Sequence, residues 1–223
     1  MRMNKEYRGD NIYNDFWGKR ENTYSAEKLG YTPYFLEFMG MWLKNRRKSE
    51  NHALDVGCGN GYFSSKLLSF GCTVTGIDIS SEAIKIARSR YKNINFVLHN
   101  LEDSLPFKNS TFDTVWCSEV LEHLFSPKFV LEEIYRVLKP NGILLCTVPY
   151  HGMLKNLGIA LFAFERHYNP IYPHIRFFTG RSLKALLDHV GFTVEQARHC
   201  GSGLGLRDLL VPTNILMAAN KKL

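Results

Sequence analysis

Leu54-Asp55-Val56-Gly57-Cys58-Gly59-Asn60-Gly61-Tyr62 carries an apolar run into a glycine-rich turn, and Asp78 closes the next apolar run, Thr73-Val74-Thr75-Gly76-Ile77-Asp78. Between them, Tyr62 to Phe70 is amphipathic. Strand, turn, helix and strand in this order make a βαβ unit. Its first turn has glycine at G-x-G-x-G spacing, which leaves a gap where side chains would stand. Asp78 sits about 20 positions past Gly57, the spacing at which a carboxylate at a strand tip reaches ribose hydroxyls. An adenosine-containing ligand suits such a place.

The turn itself narrows the ligand. The dinucleotide fingerprint is G-x-G-x-x-G, with a pyrophosphate at the helix N-terminus. Here Gly61 comes one residue early and Asp55 precedes the first glycine. A carboxylate there opposes a phosphate but suits an ammonium group. The stretch resembles motif I of the class I S-adenosylmethionine-dependent methyltransferases, and the chain is similar to that family over roughly residues 50 to 220. The resemblance implies S-adenosyl-L-methionine as cofactor. It implies that the backbone of Gly57, Cys58, Gly59 and Gly61 contacts the methionine part, with Asp55 nearby, and that Asp78 holds the ribose. Ile79 is the natural apolar neighbour of the adenine face.

Composition sets the outer limits. With 223 residues and 45% hydrophobic content the chain can bury one substantial core. Its opening residues have no apolar stretch behind their charges, so no secretory leader is expected. The longest apolar run, Leu157 to Phe164, is eight residues and too short to span a bilayer. Five cysteines without C-x-x-C spacing read as reduced core thiols of a cytoplasmic protein. The net charge of +7 favours an anionic substrate, a membrane surface or nucleic acid without choosing among them. The one tight basic cluster, Lys44 with Arg46, Arg47 and Lys48, reads first as a solvated helix end.

Beyond the opening unit, strand-like and helical periods alternate. Tyr34–Leu43 reads as a helix. Strands are expected at Ala53–Val56, Thr73–Asp78, Ile94–Leu98, Phe112–Cys117, Ile143–Val148, Phe192–Ala197 and Asn214–Ala219. Helices are expected after Ser80 as N-cap, after Ser126-Pro127 in cap and N1 positions, and after Thr179. Pro140-Asn141-Gly142 is expected to end the second of these and Gly191 the third. This alternation implies an α/β, doubly wound, mostly parallel sheet covered on both faces. The resemblance, not the periodicity, implies seven strands in the order 3-2-1-4-5-7-6 with the last antiparallel. Residues 1–50 read as an N-terminal helical lid, with Tyr13, Phe16 and Trp17 folding over the cofactor. Residues 51–223 read as the cofactor-binding domain, with an inserted substrate cap at about 150–177.

Two further stretches carry candidate chemistry. After the third strand, Asn100-Leu101 takes the places where the family reads adenine, the asparagine by its carbonyl oxygen and Leu101 by its backbone N–H. An offset alignment gives the role to Asp103 instead. After the fourth strand, Ser118-Glu119-Val120-Leu121-Glu122-His123 resembles the family's segment near the methionyl end, so Ser118 is assigned to the cofactor. An enol or phenol acceptor also needs a base, and His123 is the candidate because imidazole titrates near working pH. The competing reading is that His123 ends a short helix and only packs. No metal is assigned, although Glu119, Glu122 and His123 form E-x-x-E-H, which a later His174 or His167 could complete as a divalent-ion site. That pattern is similar to metal-assisted small-RNA 2′-O-methyltransferases, and some quinone-pathway O-methyltransferases share it.

The cap region mixes Met153, Leu154, Leu157, Leu161, Phe162 and Phe164 with Arg166, His167, His174 and Arg176. Such a surface suits a greasy acceptor bearing a polar group, or a lid packed on the sheet or a second subunit. The expected function is methyl transfer to an oxygen of a small or lipid-like acceptor. Peripheral membrane contact and a homodimer both fit the same surface. The alternatives are an RNA 2′-O-methyltransferase and a non-catalytic cofactor-binding partner protein. Against RNA, no basic–aromatic motif stands out.

Overall fold

A computed structural model describes residues 13–15, 17, 26, 29–44, 51–168, 174–201, 208 and 211–222. Phe16 and the Arg46-Arg47-Lys48 part of the basic cluster lie outside the described residues. The elements follow in chain order as α1 (Thr32–Leu43), β1 (His52–Val56), α2 (Tyr62–Ser69), β2 (Thr73–Asp78), α3 (Ser81–Arg90) and β3 (Asn95–Leu98). After these come β4 (Phe112–Ser118), a 3-10 turn (Leu121–His123), α4 (Pro127–Val137) and β5 (Leu138–Pro149). The chain ends with α5 (Met153–Phe162), α6 (Phe164–His167), α7 (Gly180–Val190), β6 (Phe192–Cys200) and β7 (Asn214–Lys221).

The seven strands form one sheet in the order β3-β2-β1-β4-β5-β7-β6. β1 pairs in parallel with both β2 and β4, and β7 runs antiparallel to β5 and β6. Strand order reverses between β1 and β4, so their carboxyl ends part and leave a crevice, the usual ligand position in open α/β sheets.

Both sheet faces are covered, and successive side chains alternate between two cores. Leu54, Val56, Val115, Cys117, Leu144 and Cys146 join the α4 and α7 side, where Leu131, Ile134, Leu183 and Leu187 are buried. Ala53, Trp116, Ile143 and Leu145 join the other side with Phe35, Phe38, Met39 and Leu43 of α1. That helix lies inside the segment read from sequence as a lid, yet these four side chains are completely or almost completely buried. Its apolar face at i, i+3, i+4 and i+8 belongs to the core of the domain. All five cysteines are buried free thiols.

Helix starts and stops mostly follow their local chemistry. Ser80 accepts the Ala83 N–H as the α3 cap, and Thr179 and Ser182 form a capping box on α7, which ends at Gly191 with φ 108°. Two expectations change. Pro127 does open α4, but the Ser126 side chain makes no capping bond. Instead the Glu102 carboxylate reaches the Phe125 N–H at 2.6 Å and the Ser126 N–H at 3.3 Å. Nor does Pro140-Asn141-Gly142 separate α4 from its strand. β5 begins at Leu138, and the triplet is a bulge within it, with Asn141 at φ 61° and the register to β4 shifting between Phe112 and Thr114.

The cap stands on the carboxyl end of β5. A bridge between Tyr150 and Phe178, with the His151 N–H on the Phe178 carbonyl at 2.8 Å, closes its base. α5 and α6 bury no residue, and Met153 and Phe162 are 81% and 87% exposed. Among the described residues no helix is long and apolar enough to cross a membrane.

Candidate functional site

The glycine turn docks on the end of β2. The N–H groups of Gly57 and Cys58 both reach the Ile77 carbonyl, at 2.8 and 3.0 Å. Gly57 has φ 69°, and a Cβ there would stand 2.3 Å from Val120 Cγ2, so no side chain fits. At Gly59, φ is 51° and the space a side chain would use is filled by the Trp17 ring, 2.7 Å from an added Cβ. Gly61, also at positive φ, is the N-cap of α2.

Asp78 ties the turn to the next element. Its Oδ2 accepts the Gly59 N–H at 2.8 Å and its Oδ1 the Ser80 N–H at 2.9 Å. Burial raises its pKa against the pull of these donors. Asp55 lies beneath the turn, 2% exposed, with the Ser64 hydroxyl on its carboxylate at 2.5 Å. Burial pushes its pKa up to about 7. Cys58 is buried in the turn, and Ile79 follows Asp78 half-buried.

The remaining sequence-assigned donor residues line the neighbouring strand ends. Asn100 Oδ1 accepts the Glu102 N–H at 3.0 Å, a local turn that uses one lone pair of the oxygen expected to face adenine. Leu101 packs its side chain into the core. Ser118 shares a hydrogen bond of 2.9 Å with Thr147. His99 was not singled out from sequence, yet its Nε2 is buried and unpartnered next to Asn100. A separate groove of about 400 Å³, lined by Ser81, Lys85, Arg88, Lys92 and Leu98, holds none of these residues.

Across the crevice, the turn after β4 and the far end of the cap meet. Glu122 is 1% exposed, and among the described residues both of its carboxyl oxygens lack a hydrogen-bond partner. Its Oε1 stands 3.8 Å from His123 Nε2 and 3.9 Å from His174 Nε2. Burial, and then the neighbouring Glu119, raise the Glu122 pKa well above the usual carboxylate range. His174 is pushed down to about 3 by burial and then by His123. The His174 imidazole is therefore uncharged near pH 7, and its contact with Glu122 is not an ion pair. Ligand atoms of Glu122, His123 and His174 all lie within 4.8 Å of one another, a set fit for a divalent cation.

Glu119 takes no part in that triad. It sits at φ 56° and accepts from Asn214 Nδ2 at 2.9 Å and Thr147 Oγ1 at 3.1 Å, while burial lifts its pKa to about 7. Of the two histidines that could complete the E-x-x-E-H segment, the structure brings His174 and not His167. The backbone N–H groups of Ile175 and Arg176 hold that end by bonding the Glu122 carbonyl, at 2.9 and 3.0 Å. His167 instead meets the His151 ring at a tilt of 53°, centroids 5.4 Å apart. His151, overlooked in the sequence, is buried against Phe177 and held by Asn156, and burial drops its pKa to about 4. The Tyr13 ring meets His123 edge-on at 5.9 Å.

Residues 54–146 match the family described as "Methyltransferase domain". The chain is 27% identical over 208 residues to a ubiquinone biosynthesis O-methyltransferase of Hydrogenovibrio crunogenus, covering 89% of this chain and 82% of that one. A protein of the same description from Thiobacillus denitrificans is 39% identical over 93 residues, 40% of each chain. In fold, the chain is similar to a Burkholderia thailandensis 1,6-didemethyltoxoflavin-N1-methyltransferase solved with S-adenosylhomocysteine. The TM-score is 0.71 at 19% identity, covering 100% of this chain and 92% of that one. The sheet order agrees with these matches, which together support a class I S-adenosylmethionine-dependent methyltransferase.

Proposed function

We propose that this enzyme moves the methyl group of S-adenosylmethionine to an oxygen of a small, quinone-like ring acceptor, one that can bear a lipid tail. The observation carrying the acceptor half is the Glu122–His123–His174 cluster, an unpartnered buried carboxyl flanked by two imidazoles beside the donor crevice. In this reading Asp78 holds the ribose and Ile79, Asn100 and Leu101 the adenine. Gly57, Cys58, Gly59, Gly61, Asp55 and Ser118 enclose the methionyl part. His99 joins the adenine end.

The chemistry asks little covalent work of the protein. The acceptor oxygen attacks the methyl carbon, the carbon–sulfur bond breaks, and sulfur leaves neutral in S-adenosylhomocysteine. The hydroxyl proton passes to the His123 imidazole. Alignment of oxygen, carbon and sulfur supplies the rest, up to about 7–11 kcal/mol in the best oriented intramolecular cases. Trp17 over Gly59 and Tyr13 beside His123 support the reading that the N-terminal residues exclude water from the donor.

A second reading rests on the same cluster. Glu122, His123 and His174 would hold a divalent cation, for which the two unpartnered carboxyl oxygens are the fitting donors. Such an ion, when bound, acidifies the acceptor hydroxyl and takes His123 as a ligand in place of a base. Titration with Mg²⁺, Mn²⁺ and Zn²⁺ followed by calorimetry separates the two: heat lost in His174→Ala supports the ion, and no heat at millimolar concentration removes it.

The exposed apolar face of the cap, with Met153, Leu157, Leu161 and Phe162, supports contact with a lipid-bearing acceptor or a membrane surface; a second copy of the chain is the other cover. Labelled methyl donor, incubated with catechol acceptors of graded tail length and with RNA, tests the whole reading. Label on the catechol oxygen is expected. Label on RNA alone would overturn it.

A further inference from the structure

Asn14, far ahead of α3 in sequence, reaches the opening of that helix. Asn14 Oδ1 accepts from Ser80 Oγ at 2.8 Å, from Ser81 Oγ at 3.3 Å and from the Glu82 N–H at 3.4 Å. One side-chain oxygen, 66 residues away in sequence, thus gathers three donors at the opening of α3. Ser80 itself is buried and already capped: its Oγ accepts the Ala83 N–H, so α3 does not need Asn14 to begin.

The same Ser80 gives its backbone N–H to Asp78, whose other oxygen holds Gly59. Gly59, Asp78, Ser80 and Asn14 therefore form one continuous hydrogen-bonded chain. On either side of Asn14, Tyr13 and Trp17 reach different walls of the crevice. Tyr13 lies against His123 after β4, and Trp17 lies on the Gly59 turn after β1. Desolvation raises the Tyr13 phenol pKa, and the nearby carboxyls of Glu122 and Asp78 add to it.

We propose that Asn14 is a positioning residue: it latches the N-terminal strap to the Asp78–Ser80 corner, holding Tyr13 beside His123 and Trp17 over the glycine turn while the donor is bound. The inference rests on the donor-site reading above. The latch must open for S-adenosylhomocysteine to leave, so its strength sets the rate of product release.

The test is the dissociation rate of radiolabelled S-adenosylhomocysteine, chased with unlabelled compound, for the full chain and for Asn14→Leu, Asn14→Asp and Trp17→Ala. Loss of three accepted hydrogen bonds should speed release about tenfold in Asn14→Leu. Asn14→Asp keeps the accepting oxygen near a helix N-terminus and should release at the wild-type rate. Trp17→Ala leaves the α3 cap intact and should also speed release, which a purely structural role for Asn14 would not produce. Unchanged release in Asn14→Leu and Trp17→Ala overturns the latch and leaves the donor site standing. Failure of the wild-type protein to bind the compound overturns the donor site itself.

Discussion

Asp78 Oδ2 and the backbone N–H of Gly59 are 2.8 Å apart, although 19 residues separate them. The carboxylate ties the turn to the start of α3, and in the proposed reading it keeps lone pairs for ribose hydroxyls. Asp78→Ala removes the acceptor of two buried N–H groups as well as the proposed ribose contact. Cofactor affinity should fall tenfold or more, given roughly 1.5–3 kcal/mol for hydrogen bonds to a charged group. Calorimetry with S-adenosylhomocysteine reads this directly, and unchanged affinity would refute the ribose role.

Two glycine-to-alanine changes should have opposite signs. Gly57→Ala places a Cβ 2.3 Å from Val120 at positive φ and should cost about 1–3 kcal/mol of stability. Gly158→Ala lies within α5 with nothing inside 4 Å of the new Cβ, and should stabilise by up to about 1 kcal/mol through helix propensity. Thermal melts of the two variants compare them.

Asp55 gives a pH signature. Its folded pKa of about 7 lies above that of an unfolded aspartate, so the native state binds the extra proton between about pH 4 and 7. Stability from this group is full below pH 4 and is lost as pH rises toward 7. Asp55→Asn cannot ionise and should gain on the wild type across that window, by something on the order of a few kcal/mol. Urea unfolding at pH 4.5 and 8 measures the difference; a gap independent of pH would show that Asp55 ionises freely.

The cap makes a prediction about substrates. Phe162 and Met153 are largely solvent-exposed, so Phe162→Ser combined with Met153→Ser should leave the melting temperature within about 2 °C. Turnover of a long-tailed acceptor should drop several-fold, while a short water-soluble analogue is turned over as before. Equal losses for both acceptors would move the cap's role from tail binding to the reacting centre.

Much of this protein is written locally. The run from Leu54 to Tyr62 contains a strand, a turn that excludes side chains and a helix start, and each depends on neighbours within a few residues. The same holds for Ser80 and Thr179 as caps and for Gly191 as a stop, since a cap bond spans three residues. Local reasoning failed where a distant group competed. At Ser126, Glu102 took the N–H groups from 24 residues away. At Pro140-Asn141-Gly142, pairing with β4 carried the strand through a turn triplet as a bulge.

The site divides along the same line. Asp78 could be found by its spacing from Gly57, because one βαβ unit has nearly fixed dimensions. No spacing rule reports that His174 of the cap, rather than His167, faces Glu122, or that Glu119 is drawn off by Asn214 across β5 and β7. Nor does one bring Asn14 to Ser80. Side-chain periodicity and turn chemistry determined the strands, most helices and the glycine turn from the sequence alone, while the strand order came from the family resemblance. Only the closed fold decided which carboxyl would be buried without a hydrogen-bond partner among the described residues, and it set that carboxyl, Glu122, between His123 and His174.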